Sequence, residues 1–192
     1  MMNMKRWIAV TALGGLLAWP AMAQAKGPKA PPGTRYVKAL GRYVDTDILT
    51  VMDWREFFHH VRQTQGEKAA VRCLPDTSMI KAHYGRNVFA SRAAGDRKLP
   101  IVGISPEQVR DYCVFRTEAV RQTKGFSGSR VTYRPLDAAA ARTLAKGVRM
   151  RGVRPVGSTL PELFMDETGR MSVQGMPSAD AALGFRCMAG YD

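Results

Sequence analysis

Leu99-Pro100-Ile101-Val102-Gly103-Ile104-Ser105-Pro106-Glu107-Gln108-Val109-Arg110-Asp111-Tyr112-Cys113-Val114-Phe115-Arg116 holds a strand signal running directly into a helix signal. Ile101–Ile104 is a short apolar run and predicts a strand. Ser105 then offers an N-cap, Pro106 suits the first helical turn, and Gln108, three residues after Ser105, completes a capping box. Val109, Tyr112, Cys113 and Val120 share one face of the helix that follows, so Cys113 is expected to point inward, and Gly125 marks the stop.

Upstream, Trp54, Phe57, Phe58 and Val61 recur at i, i+3, i+4 and i+7, the apolar stripe of a first helix. Thr50 can cap it and Gln63–Gly66 ends it, while Asp53, Arg55, Glu56, His59, His60 and Arg62 take the other faces. Tyr36–Leu49 has short apolar pieces broken by Gly41 and Asp45, which predicts one or two strands around a turn, and Gly85–Lys98 is loop-like. Downstream, Asp137 opens a shorter Ala-rich helix reaching Gly147. From Gly152 to Asp192, Gly, Pro, Ser and Asp recur, predicting loops and strand fragments rather than a second domain.

At the N-terminus Lys5 and Arg6 precede the apolar run Trp7–Trp19, and Ala21-Met22-Ala23 places small residues two apart. This is the pattern of a secretory signal peptide over residues 1–23, with a second cut offered by Ala23-Gln24-Ala25. Pro20 closes the run short of the roughly 20 residues that a membrane span needs, and no membrane span is expected after cleavage. Residues 24–33 contain KGPKAPP and read as a flexible leader; residues 34–192 read as one domain, periplasmic or secreted.

The chain has 29 Lys+Arg against 16 Asp+Glu, a net charge of +13, with 45% hydrophobic residues, which excludes a disordered chain. Loss of Lys5 and Arg6 with the signal leaves +11. A charge of +11 suits nucleic acid, an anionic membrane or an acidic partner alike, and it is export that argues against nucleic acid. Arg142, Lys146, Arg149, Arg151 and Arg154 form the one acid-free cluster, a candidate partner-binding patch set against the alternative of a solvated helix end.

Export to an oxidising compartment favours one bridge among Cys73, Cys113 and Cys187 and one thiol left over; spacing leaves all three pairings open. No metal and no cofactor are expected, because the sulfurs are far apart in sequence and neither C-x-x-C nor H-E-x-x-H occurs. His59 and His60 are neighbours about 100° apart around a helix and cannot both face one ion easily. Glu56, four residues before His60, reads as a weak surface pair, and His83 has no recognisable nucleophile nearby. Glu162, Asp166 and Glu167 form an acidic knot around Gly169 that reads as a solvated turn. Cys73 reads as a small buried residue.

Three segments in order resemble the formylglycine-generating enzyme (sulfatase-modifying factor) family. Leu49–Phe57 (LTVMDWREF) resembles the family's "EVTNAEYREF", Leu99–Arg116 resembles "PVVGVSWEQAKAYCEWR", and Gly184-Phe185-Arg186-Cys187 resembles the closing "GFRC". Tyr133–Asp137 and Leu163–Gly169 are fainter echoes of "YRLPTEAEWE" and "GLYDMAGNVWEW". The resemblance implies an α+β, C-type-lectin-like fold: two main helices on small twisted antiparallel sheets with much irregular loop. It also implies a disulfide between Cys113 and Cys187, since the family joins those motif positions. The family's copper-holding cysteines lie between its last two motifs, where this chain has only Arg170–Leu183 and no Cys, so the resemblance extends to the scaffold and not to the copper chemistry.

The function this implies is an exported non-catalytic protein-binding module. Proteins similar to this family serve type VI secretion in the periplasm, modulating a membrane kinase or neutralising an effector. The alternatives are an enzyme with remodelled chemistry, acting on siderophore precursors or through a metal, with Glu162, Asp166, His83 and His59 as candidate groups, or a small-ligand or glycan binder. Fold alone does not choose among them.

Overall fold

The computed structural model describes residues 29–145, 161–166, 168–173 and 183–191. Helix α1 (Val51–Gln65) starts where Thr50 and Asp53 close a reciprocal capping box, and it buries Val51, Trp54, Phe57 and Val61 along one stripe. Gly66 turns the chain into the short α2 (Glu67–Val71). Asp76 caps α3 (Thr77–Tyr84) by accepting from the backbone N–H groups of Ser78 and Met79. The sequence reading had no helix at either place: α2 is one turn and a half, too short for a periodic pattern, and α3 buries only Ile80.

Helix α4 (Pro106–Gln122) begins at the Ser105–Gln108 capping box and buries Val109, Tyr112, Cys113, Thr117 and Val120. It ends at Thr123, before Gly125. The expected strand before it is absent. Ile101 donates to the Leu49 carbonyl and Thr50 forms a single bridge with Pro100, but Gly103 then turns to φ +75° and gives its carbonyl to Asp76 N–H. The left-handed residue ends the extended run.

The main sheet is antiparallel in the order β1 (Thr34–Val37), β2 (Arg42–Asp45), β7 (Cys187–Tyr191), β3 (Val131–Pro135). The C-terminal strand lies second from one edge, between two strands from the first 135 residues. Side chains alternate across it as a strand's two-residue period requires. Cys187 and Ala189 join the large core with α1 and α4, whereas Met188 joins Val37, Val44 and Leu136 against Ala140, Ala141 and Leu144 of α5 (Ala138–Ala145). The sheet is therefore sandwiched between α4 and α5.

A second sheet, β5 (Met171–Val173), β4 (Glu162–Met165), β6 (Gly184–Phe185), is mixed: β4 and β5 are antiparallel, but β6 runs parallel to β4. The α+β class with small sheets and helices is thus as expected, though not every pairing is antiparallel. Phe185 sits at the centre of the molecule, edge-on to Trp54 and Tyr112, while Trp54 stacks on Tyr112 at 5.5 Å.

Residues 29–33, read from sequence as part of a flexible leader, are held on the domain. The Pro32 carbonyl accepts from Arg116 and Tyr133, Thr34 donates to the Pro31 carbonyl, and Tyr191 donates to the Lys29 carbonyl. Proline removes N–H donors but leaves carbonyls that the domain's side chains can meet.

Candidate functional site

Helix α4 organises the chemistry-bearing part of the molecule. From its inner face Cys113 meets Cys187 of β7, with 2.8 Å between the two Sγ atoms, both residues buried. Burial first, then the Cys187 thiol beside it, push the Cys113 thiol well above its ordinary pKa. One turn on, Arg116 reaches Asp45 at the end of β2, Nη1 to Oδ2 at 2.6 Å, and the same oxygen accepts the Cys187 backbone N–H at 2.8 Å. Burial raises the Asp45 pKa, and Arg116 and the Cys187 N–H pull against it. Thr117 donates to the Cys113 carbonyl and accepts the Tyr133 N–H. The Cys113–Cys187, Arg116–Asp45 and Thr117–Tyr133 contacts tie α4 to the central strands.

The outer flank of α4 is open. A hollow of about 400 Å³ lies between α4, the second half of α1 and α2, lined by Phe57, His60, Cys73, Asp111, Val114 and Phe115 among others. A second, of about 610 Å³, lies between the start of α4, α3 and Leu74. Arg72 and Asp111 line both, so the two meet as one groove along α4. Its walls expose apolar side chains: Val114 is 58% and Leu74 41% accessible.

The groove holds a thiol without an activated thiolate. Cys73 is buried, its backbone carbonyl accepts the Trp54 indole N–H at 2.9 Å, and burial followed by the charge of Asp111 raises its pKa. His60 is stacked obliquely on Phe115, 4.9 Å between ring centres, while Glu56 lines a different recess. His59 contacts Arg62 on the helix surface, and His83 packs against Tyr84.

The acidic knot is taken apart by the fold. Glu162 is not in a solvated turn: it is 1% exposed and paired with Arg186 through two hydrogen bonds of 2.6 and 2.7 Å. Asp166 shapes the turn, accepting from Thr168 and from the Arg170 N–H, which lowers its pKa. Glu167 lies outside the described residues. Glu162, Asp166, His83 and His59 thus each sit in separate surroundings. Among the described residues no three His, Cys, Asp or Glu side chains group as metal ligands.

Of the basic cluster, Arg142 is exposed on α5; Lys146, Arg149, Arg151 and Arg154 lie outside the described residues. Among the described residues no helix is long and apolar enough to cross a membrane. No protein-family model, no curated protein and no solved structure matches this chain.

Two features escaped the sequence reading. Asp45 was legible only as a break between apolar pieces, and Glu162 only as one acid among three, because their partners lie 71 and 24 residues away. The groove left a faint trace, Val114 standing off the apolar face of its helix.

Proposed function

We propose that the chain is an exported, non-catalytic binding module for a protein partner in the periplasm, and that the groove along α4 receives a segment of that partner. The observation that carries this reading is the pair of confluent hollows with Val114 and Leu74 exposed on their walls. An apolar rim around a concave strip is the surface from which a buried side-chain anchor gains binding energy. The groove's acids, Asp111, Glu118, Glu107 and Asp76, outnumber its one Arg, so the docking segment is apolar with basic flanks.

The basic cluster from Arg142 to Arg154 is proposed as a second contact, for an acidic face of the same partner, acting on association rate more than on residence time. Service in type VI secretion, as a kinase modulator or an immunity protein, is the pathway this reading favours, on the motif resemblance alone. A scaffold related to the formylglycine-generating enzymes would suit such a role because its core keeps the fold while its surface is free to vary.

The test is an affinity capture from periplasmic extract with oxidised mature protein beside Val114→Glu, each read by mass spectrometry. Val114 is exposed, so the variant is expected to fold with an unchanged circular dichroism spectrum. One identified protein, bound directly by the purified wild type and weakened at least about tenfold by the buried charge, supports the reading. Reproducible absence of such a partner, or equal binding by Val114→Glu, overturns it.

A further inference from the structure

Between Asp76 and Glu107 the sequence carries five Lys and Arg and a single acid, Asp96. The fold takes that acid off the surface. Asp96 is 3% exposed and held by Arg86 at 2.5 Å. Lys81, Arg92, Arg97 and Lys98 are exposed and form no salt bridge among the described residues. A stretch that is only moderately basic as a sequence thus shows solvent its cations and none of its negative charge.

Most of these cations are carried by a loop that the core holds in place. Gly85–Leu99 leaves the end of α3 and comes back to it: the Tyr84 hydroxyl donates to the Pro100 carbonyl at 2.7 Å, and Arg86 donates to Asp96. Val88 is buried in the core, and Arg55 of α1 donates to the carbonyls of Val88, Phe89 and Ser91. A compact surface loop with joined ends is a firm mount for the groups it displays. Arg55 adds to the field, since it meets carbonyls rather than a carboxylate. Farther along α1, Arg62 lies over the Phe58 ring, which is edge-on to Phe89, and this brings the α1 cations up to the loop.

The chemistry of this face selects a partner. None of its cations lines the hollows along α4, and no large exposed apolar side chain falls on the loop. Ala90, Ala93, Ala94 and Gly95 are what stands exposed between the cations. A protein partner held firmly needs a desolvated apolar centre in its interface. Charge among short side chains instead suits close approach to a broad plane of anions, where many weak attractions add, as basic segments do at an acidic leaflet.

We propose that Gly85–Leu99, with the adjoining cations of α1, is a docking surface for an anionic phospholipid bilayer. It does not rest on the groove, and a failed capture experiment leaves it standing. The full mature protein is mixed with vesicles of phosphatidylglycerol and phosphatidylcholine in equal parts, and with vesicles of phosphatidylcholine alone, at about 0.1 M salt, where the Debye length is about 10 Å. Co-sedimentation with the anionic vesicles only is expected, with release as salt is raised.

Each cation beside an anionic leaflet is worth about fivefold in partitioning, so Arg92→Gln, Arg97→Gln and Lys98→Gln together should weaken binding by about a hundredfold. All three side chains are exposed, and the thermal midpoint is expected to stay that of wild type. A charge-matched variant, Arg35→Gln with Lys124→Gln and Arg130→Gln, removes exposed cations from β1 and from the connection between α4 and β3, and should lose no more than about threefold. Failure to bind the anionic vesicles, equal binding to the neutral ones, or equal loss in the two triple variants overturns the proposal. A periplasmic protein that the loop variant alone fails to capture, with vesicles ignored by wild type, gives the surface to an acidic protein and overturns it likewise.

Discussion

Glu162 and Arg186 face each other through two parallel hydrogen bonds, each side chain 1% exposed, and join the strand β4 to the residue between β6 and β7. The pair seals the junction of the two sheets, for Arg186 also gives its carbonyl to Leu136 N–H. A buried ion pair of this kind is dangerous to break and unremarkable to replace, because removal of one partner strands the other's charge in low dielectric.

Glu162→Gln is therefore expected to destabilise by about 3–5 kcal/mol and to lower Tm by roughly 10 °C. The double replacement Glu162→Leu with Arg186→Met should recover most of that loss. Thermal unfolding of the two proteins side by side decides it; a double variant no more stable than Glu162→Gln would contradict the argument.

Cys113 and Cys187 are placed to form the bridge that the motif resemblance implies, and Cys73 is held apart beneath Trp54. Protein exported to an oxidising compartment should show one thiol when denatured without reductant and three after reduction, counted by alkylation and mass. The closed loop of 74 positions predicts about 4 kcal/mol of stabilisation over the reduced chain in the loop-entropy model. Three thiols in the unreduced protein would remove the bridge from the account.

Gly103 sits at φ +75°, and a Cβ there would lie 2.6 Å from the Asp76 carbonyl oxygen, a backbone atom fixed by the cap of α3. Gly103→Ala should cost about 2–4 kcal/mol, combining the left-handed conformation with the clash. Urea unfolding should show a lower midpoint at unchanged slope, and an alanine variant as stable as wild type would refute the close approach.

Arg86 donates to Asp96 at 2.5 Å and, with a hydrogen bond from Ser91, holds that carboxyl below its ordinary pKa. The folded chain thus binds this proton less readily than the unfolded one. The stabilisation is present above about pH 4, the unfolded value, and fades as pH falls through the lower folded value. Asp96→Asn should be less stable than wild type near pH 7, with the difference shrinking toward zero in acid. A gap that stays constant with pH would show that Asp96 acts without its charge.

Local chemistry settled a good deal in advance. The caps at Thr50 and Ser105 and the stripes of Trp54 and Cys113 name α1 and α4 and their buried faces, because capping and 3.6-residue periodicity act within four residues along the chain. The Ala-rich α5 was legible from Asp137 and the alanines after it, and β1 and β2 from the short apolar pieces that Gly41 separates. What tertiary structure alone decided is where the C-terminal residues go. Gly184–Tyr191 has too little periodicity to announce a strand, yet it threads between β2 and β3 and sends Arg186 to Glu162, Cys187 to Cys113 and its own N–H to Asp45. Those partners lie 24 to 142 residues away, and a buried charge exists only once the chain has closed around it.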